Sequence, residues 1–412
     1  MQLKGLTAAV CLSLVGTPPR AAFAEVMAFS PRTTVFVKPS ETSELVVINP
    51  NAALSVTPSD WLQLDVEYEA DIVSGATESL KGGRLSPVDI VSSATDFADT
   101  RHVVSGGFGL VRDTTRLTAS YSHGRESDYR SNAFAVSAGT TFLQKNTELS
   151  LAYARGFDQV CTTAFQSSDS ASVRLPLDNS KGCFKDVANR ATRDIDLDNF
   201  QAGWTQTWTP VLATQLVLSG SLQHGFLENP YRAVVIAPAG DQALENHPDN
   251  RARAAFALRA KYYLRPIKTA FTAGARIYRD TWDVVGQTYE VEAERYLLPD
   301  LRVLARGRYY TQGGALFWSD DYTGGEPQDG PRGQYWTGDR ELSPLWSYLV
   351  GGRLVFRREG RPEKRIAYVM LGFEASLSLD LMKTVLEEFT WGGKAPDDTL
   401  ALIGSLGARA AF

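Results

Sequence analysis

The chain has 412 residues, 43% of them hydrophobic, with 42 Lys and Arg against 47 Asp and Glu and a formal charge of −5. That acid excess argues against a nucleic-acid binder, which normally carries a basic surplus, and the apolar content excludes wholesale disorder. Beyond the N-terminus no stretch approaches the ~18 uninterrupted apolar residues of a spanning helix, which excludes helical membrane proteins but not β-barrels.

The first element is an export signal. Met1 to Lys4 carries one positive charge, Gly5 to Gly16 is an apolar stretch too short to span, and Ala22-Phe23-Ala24 is an A-x-A cleavage site. Residues 1–24 are therefore expected to be cleaved, taking Cys11 with them, and 25–31 to form a short periplasmic segment before a barrel over 32–412. Cys161 and Cys183 remain. In an oxidising compartment such a pair predicts a disulfide, here stapling a polar, Ser-rich loop. Closing it would contribute roughly 3 kcal/mol in the chain-entropy model.

Period two dominates the rest. From Trp61 to Val73, Leu62, Leu64, Val66, Tyr68, Ala70 and Ile72 alternate with Gln63, Asp65, Glu67, Glu69 and Asp71, which puts an apolar face opposite a charged one. Similar runs recur at 101–112, 115–127, 131–144, 147–157, 197–209, 213–225, 250–263, 268–280, 285–297, 300–312, 344–357, 364–377 and 399–412, with earlier ones at 32–38 and at 44–56, the latter interrupted by Pro50. Runs this long suit tilted membrane strands better than the strands of a soluble sandwich. Tight connections at 58–60, 112–114, 144–146, 210, 265–266, 298–300 and 358–363 separate long ones at 75–100, 158–196, 226–249, 313–343 and 378–398. The predicted fold is all-β: a transmembrane, antiparallel, up-and-down barrel of about 16 strands, long loops outside the cell and both termini in the periplasm. The last run ends on Phe412. It resembles the C-terminal strand signal that the barrel assembly machinery of bacterial outer membranes recognises.

Alternation also assigns the lumen. Asp65, Glu67, Glu69 and Asp71 form an acidic ladder with few cations near it, while Arg251, Arg253, Arg259 and Lys261 point inward on a later strand. Glu290, Glu292 and Glu294 lie on the strand paired with Arg302, Arg306 and Arg308, where acid can match base across the hairpin. Such a lumen suits a pore with one acidic and one basic wall, or a basic wall that grips an anion. Lumen charge that merely pairs within itself is equally natural in a barrel.

One heptapeptide occurs twice. Asp71-Ile72-Val73-Ser74-Gly75-Ala76-Thr77 is followed eighteen residues later by Asp89-Ile90-Val91-Ser92-Ser93-Ala94-Thr95, both fitting D-x-x-S-[GS]-A-T. The first copy resembles the covalent flavinylation motif of bacterial exported flavoproteins, including subunits of sodium-pumping quinone reductases. The resemblance implies a periplasmic FAD:protein FMN transferase as partner and a phosphoester between FMN and Thr77. Asp71, Ser74, Gly75 and Ala76 would then be the recognition residues. Thr95 would be a second acceptor, with Asp89, Ser92, Ser93 and Ala94 in the matching positions and Ser93 departing from Gly. The chain also resembles a Gram-negative outer-membrane barrel family of unassigned function whose genes often lie beside such a transferase. Ser, Gly and Thr are turn residues too, so the same heptapeptide can read as a strand top entering a loop.

The resemblance implies a redox carrier in outer-membrane lipid, moving electrons across or at that membrane with periplasmic cytochromes or flavoproteins as partners, rather than an enzyme with its own substrate. Phe317, Trp318, Tyr322, Tyr335 and Trp336 could stack on a flavin or form an ordinary aromatic cluster. His102, His123, His224 and His247 show no metal-ligand spacing, and no hydrolase or phosphate-loop motif occurs. The rivals are a passive porin and a structural or adhesive barrel.

Overall fold

The computed structural model describes residues 27–39, 45–75, 90–92, 97–164, 177, 183–184, 189–235, 242–320, 322, 334–359, 370–388 and 399–412. The wall is built from β1 (Met27–Lys38), β2 (Leu45–Ser59), β3 (Leu62–Gly75), β5 (Phe97–Arg112), β6 (Thr115–Arg125), β7 (Tyr129–Phe142), β8 (Thr147–Thr163), β9 (Arg190–Thr209), β10 (Leu212–Gly225), β13 (Asn250–Leu264), β14 (Thr269–Asp280), β15 (Val285–Leu298), β16 (Leu301–Gln312), β17 (Leu345–Glu359), β18 (Gly372–Leu386) and β19 (Thr399–Ala411). These sixteen strands close into one barrel in which chain neighbours pair and β1 seals against β19. At the seam the Phe412 amide donates to the Met27 carbonyl (2.8 Å) and the Met27 amide to the Phe412 carbonyl (3.3 Å). Closure leaves no open sheet edge in the wall, which is what lets strands cross a membrane. Three short strands, β4 (Ile90–Ser92), β11 (Arg232–Val235) and β12 (Gln242–Leu244), make a separate sheet in the order β12-β11-β4.

The alternation decides which face meets what. Leu64, Val66, Tyr68 and Ile72 are exposed on the outside of β3, as a lipid-facing wall requires. Trp61, Phe142, Trp208 and Tyr296 are exposed beside the short turns, forming the aromatic girdle expected at a membrane interface.

Several strands are longer than their alternating runs. β1 starts at Met27 and so takes in 27–31, the segment expected to precede the barrel. Met27 and Phe29 face outward there, and the ladder to β2 passes through Pro31 opposite Ala52. Pro50 does not interrupt β2: it sits in register with Thr33. Having no N–H to give, it instead falls in a gap of the β2–β3 ladder between Ile48↔Ile72 and Asn51↔Glu69. β8 and β9 run on to Thr163 and from Arg190, narrowing the loop expected at 158–196.

The next-to-last strand is displaced: β18 spans Gly372–Leu386 rather than 364–377. The apolar parity changes at Met370-Leu371, and only the later phase, with Leu377, Leu379 and Leu381 facing outward, matches β17 residue for residue from Leu345↔Leu386 to Glu359↔Gly372. The preceding connection is thus 360–371 rather than a tight 358–363, and the following loop begins at 387.

Candidate functional site: lumen and cap

Asp65, Glu67, Glu69 and Asp71 line the inner face of β3 and are met by neutral donors. Asn49 Nδ2 donates to Glu69 Oε1 and Asp71 Oδ1 (both 2.7 Å), Asn51 Nδ2 to Glu67 Oε1 (2.5 Å), and Ser55 Oγ and Gln63 Nε2 to Asp65 Oδ1 (2.5 and 2.7 Å). These donors come from β2 and β3 and carry no charge, so the ladder's charges are hydrogen-bonded without being neutralised. Arg101 stands opposite Asp71 in the β3–β5 register.

The opposite wall is an ion-pair lattice. Arg259 pairs with Glu290 (2.9 Å), which Arg308 approaches at 3.9 Å; Lys261 and Arg302 both reach Glu294, at 2.9 and 2.8 Å. The β15–β16 register sets Glu290 against Arg308 and Glu292 against Arg306, as the hairpin pattern predicts, but Arg306 turns the other way. Its Nε and Nη2 bind Asp380 at 2.8 and 2.5 Å, across β17. Gly351 occupies the intervening position of that row, opposite Arg306 on one side and Asp380 on the other.

A Cβ at Gly351 would run into the Asp380 carboxylate and the Leu379 carbonyl. Gly351→Ala is therefore expected to push Arg306 off the buried Asp380 and cost about 1–3 kcal/mol. Urea unfolding in detergent would register this, with Gly404→Ala, which has no atom within 4 Å of its would-be Cβ, as the silent control.

Lumen exposure changes along the axis. Lys261, Arg259 and Arg308 are about half exposed (51, 49 and 49%). Half-exposed pairs of this kind contribute only ~0–1 kcal/mol each, so they set the potential of a wet lumen more than the stability of the fold. Toward the long-loop end Arg251 and Asp280 are both buried. Arg251 donates to Asp280 through Nε (2.8 Å) and Nη2, and its neighbour Arg253 is half-buried.

Above that level the loops interlock into a cap. β4 belongs to the loop between β3 and β5, yet pairs with β11 from the loop between β10 and β13, five places away in the wall. Tyr231 of that second loop donates to Asp128, beyond β6, and the Leu177 amide to the Pro230 carbonyl (2.6 Å). The Cys161–Cys183 disulfide forms as expected, with Cα atoms 5.3 Å apart, tying the end of β8 to the following loop.

The loop after β16 closes the other side. Leu227, Trp282, Val284, Phe317, Trp318 and Leu342 form a buried cluster on which Ile195 of β9, Tyr278 of β14 and Leu386 of β18 pack; β9 and β18 lie nearly opposite each other in the strand order. Phe317, Trp318, Tyr322 and Trp336 are thus buried among cap residues, the ordinary-cluster alternative. Phe317 packs its ring on those of Trp282, His247 and Tyr335. The Tyr322 hydroxyl donates to the Thr337 carbonyl (2.7 Å) and the Trp336 indole N–H to the Leu244 carbonyl (3.1 Å).

Charge is buried in the same cap. Arg232 binds Asp339 at 2.5 Å. Glu245 accepts from Thr337 Oγ1 (3.0 Å) and the Gly338 amide (3.1 Å) and faces His247 Nε2 at 3.4 Å. His247 Nδ1 lies 3.0 Å from the Leu227 carbonyl. A carbonyl only accepts, so Nδ1 carries its hydrogen and Nε2 is the nitrogen turned to the carboxylate. Burial would lower the Arg232 pKa, but Asp339 and Glu245 overcome it and hold the guanidinium well above its usual range. Arg232, Glu245, His247, Asp280, Asp339 and Asp380 escaped the sequence pattern. Asp280 alone closed an alternating run with inward parity; the others lay in expected loops.

Of the motif residues, Asp71 tops the acidic ladder, Ser74 and Gly75 end β3, and Ser92 ends β4. Ala76, Thr77, Asp89, Ser93, Ala94 and Thr95, like residues 1–24, lie outside the described residues.

A closed sixteen-stranded antiparallel wall, apolar outside and charged inside, defines a β-barrel of the outer-membrane type. The chain belongs to the family described as "Protein of unknown function (DUF3570)", whose family model matches residues 36–347. No curated relative matches it in sequence. Among solved structures it is similar to a bacterial polysaccharide outer membrane secretin, with TM-score 0.50 and 8% identity over 95% of this chain and 99% of that one. It is also similar to OccD3 (OpdP) of Pseudomonas aeruginosa, with TM-score 0.43 and 9% identity over 93 and 91%. A third, the CymD monoaromatic hydrocarbon channel, gives TM-score 0.38 and 10% identity over 95 and 89%. At such identities the likeness concerns the fold alone.

Proposed function

We propose that this barrel resides in the outer membrane, exported by residues 1–24, and carries threonine-linked FMN on the loop between β3 and β5 to move electrons across or at that membrane. The observation that carries the proposal is the repeated D-x-x-S-[GS]-A-T: Asp71-Ile72-Val73 of the first copy lies within β3, and Ile90-Val91-Ser92 of the second forms β4, paired into the cap. Thr77 follows β3 by two residues and Thr95 follows β4 by three. The donor set fits the chemistry: a hydroxyl acceptor flanked by Ser, Gly and Ala, small enough for a transferase and a bulky phosphate to approach the backbone. The threonine hydroxyl would displace AMP from FAD; because the motif starts at the long-loop rim, a periplasmic transferase reaches it either before insertion or on a loop folded down into the lumen. Bound flavin supplies the redox step, and the chain positions it above the acidic ladder, whose direct hydrogen bonds come from neutral donors. Periplasmic cytochromes or flavoproteins would be the redox partners, and the barrel assembly machinery would read the strand ending at Phe412.

The decisive measurement is the intact and peptide mass of protein from its native outer membrane. Wild type should carry FMN less water, lost at one or both sites in Thr77→Ala and Thr95→Ala. Unmodified mass in cells with an active FMN transferase would overturn the proposal. A second function, a channel gated by its cap, is favoured by the half-exposed lumen pairs around Arg259, Lys261 and Arg308. It predicts no chromophore, and ion current whose selectivity follows the acidic and basic walls.

A further inference from the structure

The lipid-facing wall carries a feature that neither electron transfer nor a channel uses. Between β6 and β14 an apolar groove of about 1140 Å³ is cut into the outside of the barrel. Small outward residues make its floor: Ala138, Ala202, Gly220 and Ala254, bordered by Leu218 and Phe256. They fall on two adjacent register rows: Ala202, Gly220 and Ala254 adjoin across β9, β10 and β13, and the exposed Leu151 stands between Ala202 and Ala138. One row runs Leu117↔Ala138↔Leu151↔Ala202↔Leu218↔Phe256↔Ile277.

The row climbs the wall. Leu117 is two residues from the short-turn end of β6, whereas Ile277 is three from the long-loop end of β14. Six strand spacings of ~4.8 Å give a length of roughly 29 Å, ample for an acyl chain reaching halfway through a ~30 Å hydrocarbon core. At the upper end, on the same outer face, stands Arg279, the one charged residue among those lining the groove. Its side chain is 73% exposed and its contact with Asp283, at 3.5 Å, is an exposed pair, weak enough for a stronger anion to displace.

We infer that this groove is a binding site for an anionic, phosphate-bearing lipid of the leaflet at the long-loop end, its acyl chain lying over the Ala and Gly floor and its phosphate at Arg279. Charge complementarity picks out the lipid: an apolar slot that ends on a cation matches an amphiphile with an anionic head.

The test is native mass spectrometry of the full-length barrel in detergent, titrated with phosphatidylglycerol and, separately, with phosphatidylcholine. Wild type should retain one phosphatidylglycerol in preference to phosphatidylcholine, by roughly two- to fivefold for a single exposed charge contact. Gly220→Leu fills the floor. Its Cβ meets only the Arg253 carbonyl at 3.7 Å, so the backbone admits a side chain, and this variant should lose retention of both lipids. Arg279→Gln, on an exposed residue, should keep binding but lose the preference. Undiminished phosphatidylglycerol on Gly220→Leu, or a preference unchanged in Arg279→Gln, overturns the site. So does a dimer that Gly220→Leu dissociates, which would assign the groove to a second copy.

Discussion

Asp280→Ala is expected to destabilise the barrel by about 3–5 kcal/mol, the cost of breaking a buried ion pair from one side. The Asp280 side chain has no exposed surface and serves five donors. Arg251 binds it through Nε and Nη2, the Tyr278 hydroxyl donates at 2.6 Å, and the Trp282 and Val284 amides each donate at 3.0 Å. Those amides shape the β14–β15 turn, whose Asp283 sits at φ 68°. Removing the carboxylate would strand the Arg251 guanidinium, 4.0 Å from the Trp282 ring, beside the like charge of Arg253. Asp280→Asn can keep the two turn amides on its oxygen but turns an NH2 donor toward Arg251 and the Tyr278 hydroxyl, so it should recover only part of the loss. Asp283→Asn, at an exposed position three residues on whose φ of 68° Asn also tolerates, should stay within about 0.5 kcal/mol of wild type. Urea unfolding of the three variants in detergent tests the set, and an Asp280→Ala variant within about 1 kcal/mol of wild type would show that Asp280 does not hold this corner.

The second large effect is expected at Glu245, and it should be local. Glu245→Ala removes the acceptor for Thr337 Oγ1 and the Gly338 amide, the carboxylate facing His247, and one of the three anions that keep Arg232 charged. Each partner left buried without its counterpart costs about 1–3 kcal/mol. Because the wall's ladders do not involve Glu245, the loss should appear as opening of the cap rather than unfolding of the barrel. Hydrogen exchange at Gly338 and Thr337 should accelerate while wall amides stay protected, and single-channel current in planar bilayers should rise or lose closures. Unchanged exchange and current would show that the contact between the loops after β10 and β16 is not what closes the mouth.

The same two regions show how far one-dimensional information reaches. Strict alternation disclosed the wall, because a strand between lipid and water must change partner at every residue. From that followed sixteen strands, the inward parity of Asp65 through Asp71, and the pairing of the strand of Glu290, Glu292 and Glu294 with that of Arg302, Arg306 and Arg308. A polar, Ser-rich loop bounded by two cysteines likewise announced its disulfide. Alternation fails where its cause is absent. Above the membrane, water or neighbouring loops replace lipid on the outer face, so β8 and β9 outrun their patterns. At Met370-Leu371 two phases compete, and only pairing along the full length of β17 selects Gly372–Leu386. Arg306 reaches Asp380 along one register row over Gly351, across three strands, and no spacing in the chain encodes it. The cap lies further still beyond sequence, since β4, β11, Glu245, His247 and Trp336 come from three loops and acquire partners only when the closed wall brings those loops to one mouth. By itself the sequence determined the periodic wall, because each strand's environment repeats every two residues. Only the tertiary structure decided the cap and the buried ion pairs, because their stability comes from burial, and burial depends on which distant segments the barrel brings together.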